Sequence, residues 1–391
     1  MLAALLLGAS TLVLAEADVD ADKNHPHPAA ALTGQNGASA LANNPTRVLA
    51  SRPLTDLNAL IDQVADRRVL CIGEQHDRYA DHLNQTAIIE GLLARGRSLA
   101  IGLEMFQQPH QDALDAYVSG AIDEAELLRR TEYFDRWRFD YRLYRPILTL
   151  ARAQRIPLIA LNLESELTRQ VGDGGIASLS DANRARLPAI ERTDAAYRAR
   201  LEAIFKQHPP EQQHQFEHFL EVQLLWDEGM ADRAARYLRE HPQTTLVILA
   251  GSGHIEYGQG IPKRLARRLP LAMATILNGQ GRTPEHEMAD FFLYSEPVAL
   301  PESGKLGVLL GQPAPEGGVL IEGFAEPSGA QAAGLTIGDR IVRVAEQPIT
   351  RYADMRLVLL DATPGQRVRV EAVRSRMLGG DETLTVEVEL H

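Results

Sequence analysis

The stretch Val69–His76 reads VLCIGEQH: four apolar residues run into Gly73, and two polar residues then lead to His76. Far along the chain, Val247–His254 reads VILAGSGH and repeats the spelling, again ending in G-x-x-H. Short apolar runs bounded by glycine or polar residues suit strands buried on both faces of a parallel sheet. Three further runs of this kind are LAIGLE (99–104), PLIALNL (157–163) and AMATIL (272–277). Helical patterns fall between them, over 79–95, about 110–130, 141–154 and long segments within 180–240. Strand alternating with helix predicts an α/β layered domain with a mainly parallel sheet over 51–296. The two large insertions, 105–152 and 178–242, are expected to form a helical cap over one end of that sheet.

The 391 residues are enough for two to three domains, at roughly 150 residues each. A hydrophobic content of 45% and a charged content of 24% are those of a globular protein. The net charge of -12 argues against a nucleic-acid partner, because phosphate binding needs clustered cations. Cys71 is the single cysteine, so no intramolecular disulfide forms. Residues 1–15, MLAALLLGASTLVLA, are apolar but short for a bilayer span, and Ala15-Glu16-Ala17 supplies an A-x-A cleavage pattern. These features predict a signal peptide over 1–17 and export to the periplasm or cell envelope. No cysteine follows the apolar run, so no lipid anchor is expected and any membrane association would be peripheral. Residues 18–50 read as a flexible tether in which His25 and His27 are solvated. Pro297 and Pro301 mark a linker over 297–303, and 304–391 change character to short β-like runs with Gly and Pro turns, a small, mostly β domain.

Ligands of an open parallel sheet bind outside the carboxyl ends of its strands. By that rule Glu74 and His76, Glu104, Asn162, and His254 are delivered by four strands to one rim. Two imidazoles and a carboxylate (His76, Glu104, His254) suit a divalent metal with an open position, such as Mn, Co or Zn. Glu74 is then a ligand, an orienting group or a general base. The same residues also suit acid–base catalysis without metal, with Glu74, His76, Glu104 and His254 as the catalytic set. The plain alternative is that they satisfy backbone donors at strand ends and helix starts. The segment Trp137–Pro146, WRFDYRLYRP, concentrates aromatics and arginines in a chain with only 5% aromatic residues. It suits a flat anionic ligand, and helix packing accounts for it nearly as well.

Taken in order, GEQH (73–76), LEMF (103–106), YRP (144–146), ALN (160–162), LWDEGMA (225–231) and AGSGHIEYGQGIPKRL (250–265) resemble the ChaN family of the Tiki superfamily. The resemblance implies a haem-binding envelope protein, with haem held between protomers of a homodimer through a tyrosine. Tyr144 with Arg145, and Tyr257, are candidate cofactor-binding residues, and Tyr133 and Tyr141 also stay open as the tyrosine. Superfamily relatives imply a second reading, a metal-dependent hydrolase of the Tiki or erythromycin-esterase type acting through the paired histidines and Glu104. Whether the chain is an enzyme therefore stays open.

The last domain resembles a bacterial PDZ domain. Leu306-Gly307-Val308 stands where the carboxylate-binding loop lies, and Gly334–Ile341, GLTIGDRI, matches the G-L-x-x-G-D-x-I signature. Such a domain adds a peptide strand to its sheet edge while backbone N–H groups hold the terminal carboxylate. The resemblance implies peptide or protein C-termini as partners, with Tyr352–Leu360 as the groove helix and Met355 and Leu359 lining the pocket. The leading expectation is haem or iron-related ligand binding. The hydrolase is its alternative, and a PDZ scaffold with an inactive α/β domain is the third.

Overall fold

The computed structural model describes residues 53–207, 215–376 and 380–391. The chain divides into two units, 1–59 and 60–391. The expected signal peptide and tether, with His25 and His27, lie outside the described residues.

Within 60–391 the first sheet has six strands: β1 (Val69–Glu74), β2 (Leu99–Gln107), β3 (Leu158–Asn162), β4 (Thr245–Gly251), β5 (Met273–Asn278) and β6 (Phe291–Leu293). Their order is β3-β2-β4-β1-β5-β6, and every neighbouring pair is parallel. Residues of β1, β2 and β4 are buried along their whole lengths. Helices on the two faces cover them, and each fully buried Val, Leu or Ile contributes about 1.5–3 kcal/mol. The three-residue β6 was not expected; its Phe-Phe-Leu is half-buried and too short to show a pattern.

The insertions fold as the helical regions expected, with different breaks. The pattern over 110–130 is two helices, Gln111–Ser119 and Glu124–Arg130. Gly120 ends the first in the left-handed conformation, and the Asp123 carboxylate accepts from Glu126 N–H to start the second at 2.8 Å. The pattern over 141–154 is a 3-10 turn, Tyr141–Leu143, followed by the helix Arg145–Gln154. The second insertion carries the helices Ala195–Phe205 and Phe216–Glu240.

The last domain is an antiparallel sheet of β7 (Val308–Pro313), β8 (Val319–Phe324), β9 (Arg340–Val344), β11 (Arg367–Arg376) and β12 (Gly380–Glu389), with the short β10 (Gln347–Pro348) paired to β9. The order β12-β11-β9-β8-β7 leaves β7 at the edge. The helices Gly329–Ala332 and Tyr352–Val358 complete it.

Candidate functional site

Strands β1 and β4 are direct neighbours in register, with Glu74 opposite Gly251. The two G-x-x-H segments therefore leave the sheet side by side. On the other side of β4, the ladder with β2 ends at Leu103 opposite Leu249, and the β2–β3 register shifts after the same residue. Glu104 is thus the first residue free of the ladder, and its carboxylate Oε2 accepts from Gly251 N–H at 2.7 Å. A Cβ on Gly251 would lie 3.1 Å from His76 Nε2 and 3.7 Å from Glu104 Oε2, so this glycine admits both groups to one cradle.

Each histidine is braced from behind. His76 Nδ1 lies 2.9 Å from Glu74 Oε1, and His254 Nδ1 lies 2.7 Å from Asp227 Oδ1. Each bracing carboxylate also accepts a buried phenol: Tyr144 donates to Glu74 at 2.8 Å, and Tyr197 donates to Asp227 at 2.6 Å. On the far side, His254 Nε2 is 3.4 Å from Glu104 Oε1. The rim thus repeats the order tyrosine, carboxylate, imidazole from both sides and meets at Glu104. Gln85 adds an N–H to Glu74 at 2.7 Å, and His82 Nε2 sits 3.1 Å from the carbonyl of His76.

The electrostatics follow from this arrangement. Burial alone would push Glu74 up, but the His82 charge and the His76 and Gln85 hydrogen bonds bring it down to about 2. Burial opposes the imidazolium of His254, yet the charges of Glu104 and Asp227 prevail and raise it to about 10. His76 is raised in the same way, its desolvation outweighed by Glu74 and Glu104. Glu104 is lowered against burial by His254, His76 and the Gly251 amide.

The sequence analysis reached Asp227 only as part of LWDEGMA (225–231), and it missed Tyr197, His82 and Gln85. Asn162 stays apart from the cluster; β3 is the sheet's outer strand, and the Asn162 side chain accepts from Leu163 N–H at 2.9 Å. The donor set of His76, Glu104 and His254 is that of a metal site. Yet among the described residues no three His, Cys, Asp or Glu side chains are grouped so as to hold a metal ion. Here His254 Nε2 and Glu104 make an ion pair instead.

The tyrosine candidates separate by burial. Tyr133 and Tyr141 are wholly buried, and Tyr144 is 2% exposed with its phenol committed to Glu74. Arg145 is taken up by Glu124 and Asp361. Tyr144 and Arg145, the first pair of candidate cofactor residues, thus both make contacts within the protein. Tyr257 is partly exposed and donates to Glu285 Oε2 at 3.0 Å; its φ of 57° is left-handed, which is rare for a large side chain. Beside it, Arg200 lies 3.8 Å from Glu256, and among the described residues its buried Nη1 has no hydrogen-bond partner.

In the last domain Gly307 has φ 74°, and a Cβ there would stand 2.5 Å from Ser328 Cα, so the turn between Leu306 and Val308 requires glycine. Val308 and Leu359 are half-buried at the core's margin, whereas Leu306 and Met355 are buried in it. Met355, expected to line the pocket, is a member of the domain's buried core cluster. The helix ends at Val358, with Leu359 as its cap.

The fold and rim define an α/β domain with paired strand-end histidines, followed by a PDZ domain. The chain belongs to the family described as haem-binding uptake, Tiki superfamily, ChaN, whose profile matches residues 60–265; a PDZ profile matches 304–390. A curated relative, Protein RETICULATA-RELATED 5, chloroplastic, of Arabidopsis thaliana, is 25% identical over 274 residues, 61% of this chain and 36% of that protein. The chain thus spans about a third of the length of this relative. Among solved structures, the chain is similar to ChaN of Campylobacter jejuni with cofacially bound haem (18% identity, 60% of this chain, 89% of that one, TM-score 0.49). It is also similar to the erythromycin esterase EreC (14%, 76% and 88%, TM-score 0.37) and, over the last domain, to the HtrA3 PDZ domain bound to a phage-derived ligand (19%, 22% and 85%, TM-score 0.19).

Proposed function

We propose that the chain is an exported envelope protein whose first domain binds haem or a related iron ligand and whose PDZ domain recognises free peptide carboxyl termini. The observation that carries the haem reading is Tyr257. Of the four tyrosines singled out, it alone presents a phenol to solvent, and Glu285 stands ready to take the proton that iron would displace. The Arg200 guanidinium, whose Nη1 pairs with Glu256 at 3.8 Å, supplies a cation near Tyr257 for a haem propionate. A haem there would be held by the Tyr257 oxygen, with Glu285 to take the phenol's proton and Arg200 to face its carboxylates, and it would supply the iron's ligand and redox chemistry. Titrating the purified full chain with hemin and following the Soret band tests this. Tyr257→Phe is expected to weaken binding tenfold or more, as loss of an iron ligand does; unchanged binding refutes the assignment.

A second reading is favoured by the rim itself. Two imidazoles pinned through Nδ1, with Glu104 between them, have the composition of an acid–base set of the kind used in hydrolysis. Esterase activity lost in both Glu104→Gln and His76→Gln would support it, and hydrolysis that survives either change would sink it.

A further inference from the structure

Arg264 is 2% exposed, and arginine is seldom buried unless its charge is matched. It lies in the helix Ile261–Arg268, a few residues beyond the second G-x-x-H segment. Its Nε is 3.4 Å from Glu228 Oε1, yet Arg267 and Arg268 stand closer to that carboxylate, at 2.7 Å and 2.6 Å. Two other guanidiniums thus already serve Glu228, and among the described residues neither Nε nor Nη2 of Arg264 makes a hydrogen bond. The other contacts of Arg264 lead to His254 by two routes. Its guanidinium carbon is 4.2 Å from the centroid of the Tyr197 ring. The Tyr197 hydroxyl donates to Asp227 at 2.6 Å, and Asp227 faces His254 Nδ1 at 2.7 Å. Along the second route, Arg264 Nη1 donates to the carbonyl of Gln259 and, at 3.2 Å, to that of Gly260. A Cβ on Gly260 would stand 2.1 Å from the His254 carbonyl oxygen, so this stretch lies directly against the His254 backbone.

Building on the acid–base reading of the rim, we propose that Arg264 is a positioning residue that fixes His254 from both ends and so keeps its Nε2 on Glu104. The side chain is held through Tyr197 and Asp227, the backbone through Gln259 and Gly260. A planar guanidinium suits both tasks at once, because its face stacks on an aromatic ring while its edge donates to carbonyls in a fixed fork. Burial strengthens the stack, since a desolvated cation over a ring interacts more strongly than an exposed one. A lysine presents one point charge on a flexible stem and holds the two routes less well. The His76 half of the rim is braced by Glu74, Tyr144 and Gln85 instead. Loss of Arg264 should therefore loosen one half of the rim and spare the other.

The two tryptophans of the chain report the two halves separately. The Trp226 ring lies 6.1 Å from that of His254, and the Trp137 ring 4.7 Å from that of His76. The full chain labelled with fluorotryptophan gives one fluorine NMR signal from each, assigned with Trp226→Phe. In Arg264→Met the Trp226 signal is expected to shift or broaden while that of Trp137 stays in place. Arg264→Lys, which keeps the charge, should do the same and covers a Met variant that fails to fold. Arg267→Met, which takes one partner from Glu228 and leaves Arg264 in place, should move neither signal. Hydrolysis of p-nitrophenyl acetate is measured alongside: Arg264→Lys should lower kcat roughly tenfold or more with KM unchanged, as misplaced catalytic groups do. A Trp226 signal unmoved in both Arg264 variants, or one that moves together with Trp137 or in Arg267→Met, overturns the positioning role. A parent that hydrolyses no ester removes the acid–base reading, and the fluorine signals then decide the positioning by themselves.

Discussion

Removing the carboxylate behind His254 tests the electrostatics of the rim most directly. Asp227 is buried, 2.7 Å from His254 Nδ1, and is one of two carboxylates that hold the imidazolium against its desolvation. The rise from 6.5 to about 10 corresponds, at about 1.4 kcal/mol per pH unit, to roughly 5 kcal/mol of preference for the charged ring. A hydrogen bond to a charged partner contributes about 1.5–3 kcal/mol, so Asp227→Asn should lower the His254 titration by roughly one to two pH units and leave Glu104 as its remaining support. Imidazole 15N chemical shifts followed from pH 5 to 11 read this directly. The sign for stability follows from the raised value. His254 contributes fully below pH 6.5, its unfolded range, and the contribution fades as pH rises through about 10. Urea unfolding of Asp227→Asn should therefore show its largest deficit near pH 6 and a smaller one above pH 10. A His254 that titrates near 10 in both proteins would assign the whole effect to Glu104, and one that titrates near 6.5 in the parent would refute the charged rim altogether.

Glu74 carries the opposite sign: its value of about 2 gives stability that is present above pH 4.5 and lost as pH falls toward 2, and Glu74→Gln should remove that acid-sensitive part of the unfolding curve. Gly251→Ala should push the His76 ring away from Glu104, seen as a lower His76 titration with the fold kept, because the new methyl would meet His76 Nε2 at 3.1 Å. Glu228 is wholly buried and pairs with Arg264, Arg267 and Arg268, so Glu228→Ala should cost roughly 3–5 kcal/mol in urea unfolding by leaving buried guanidinium charge uncompensated. Gly307→Val should abolish binding of free-acid peptides to the full chain, since its side chain has no room beside Ser328 and its φ of 74° disfavours any Cβ.

What the sequence carries about the rim is bounded by the physics of strand ends. A buried strand announces itself by an unbroken apolar run, and the residue that stops the run is legible as the one facing the rim. That logic found His76, Glu104 and His254 from three separate strands, and the register of β1 with β4 and of β2 with β4 brings them together. The groups behind them have no such marker. Asp227 and Tyr197 lie within helices, where an inward polar residue looks like any other interruption of the apolar face, and only the packing of Ala195–Phe205 against Phe216–Glu240 turns them toward each other. The same limit explains Tyr144. In WRFDYRLYRP every aromatic looks equally available, and the sequence cannot say which phenol is spent on a buried carboxylate and which remains for a ligand. Composition offered a cluster, whereas burial sorted it: Tyr144 braces Glu74 from the inside, and Tyr257, in a stretch read mainly for its histidine and glycines, is the phenol that solvent reaches. Residues that act on a ligand are thus partly readable because they interrupt a pattern; residues that hold those residues in place are not, because they satisfy one.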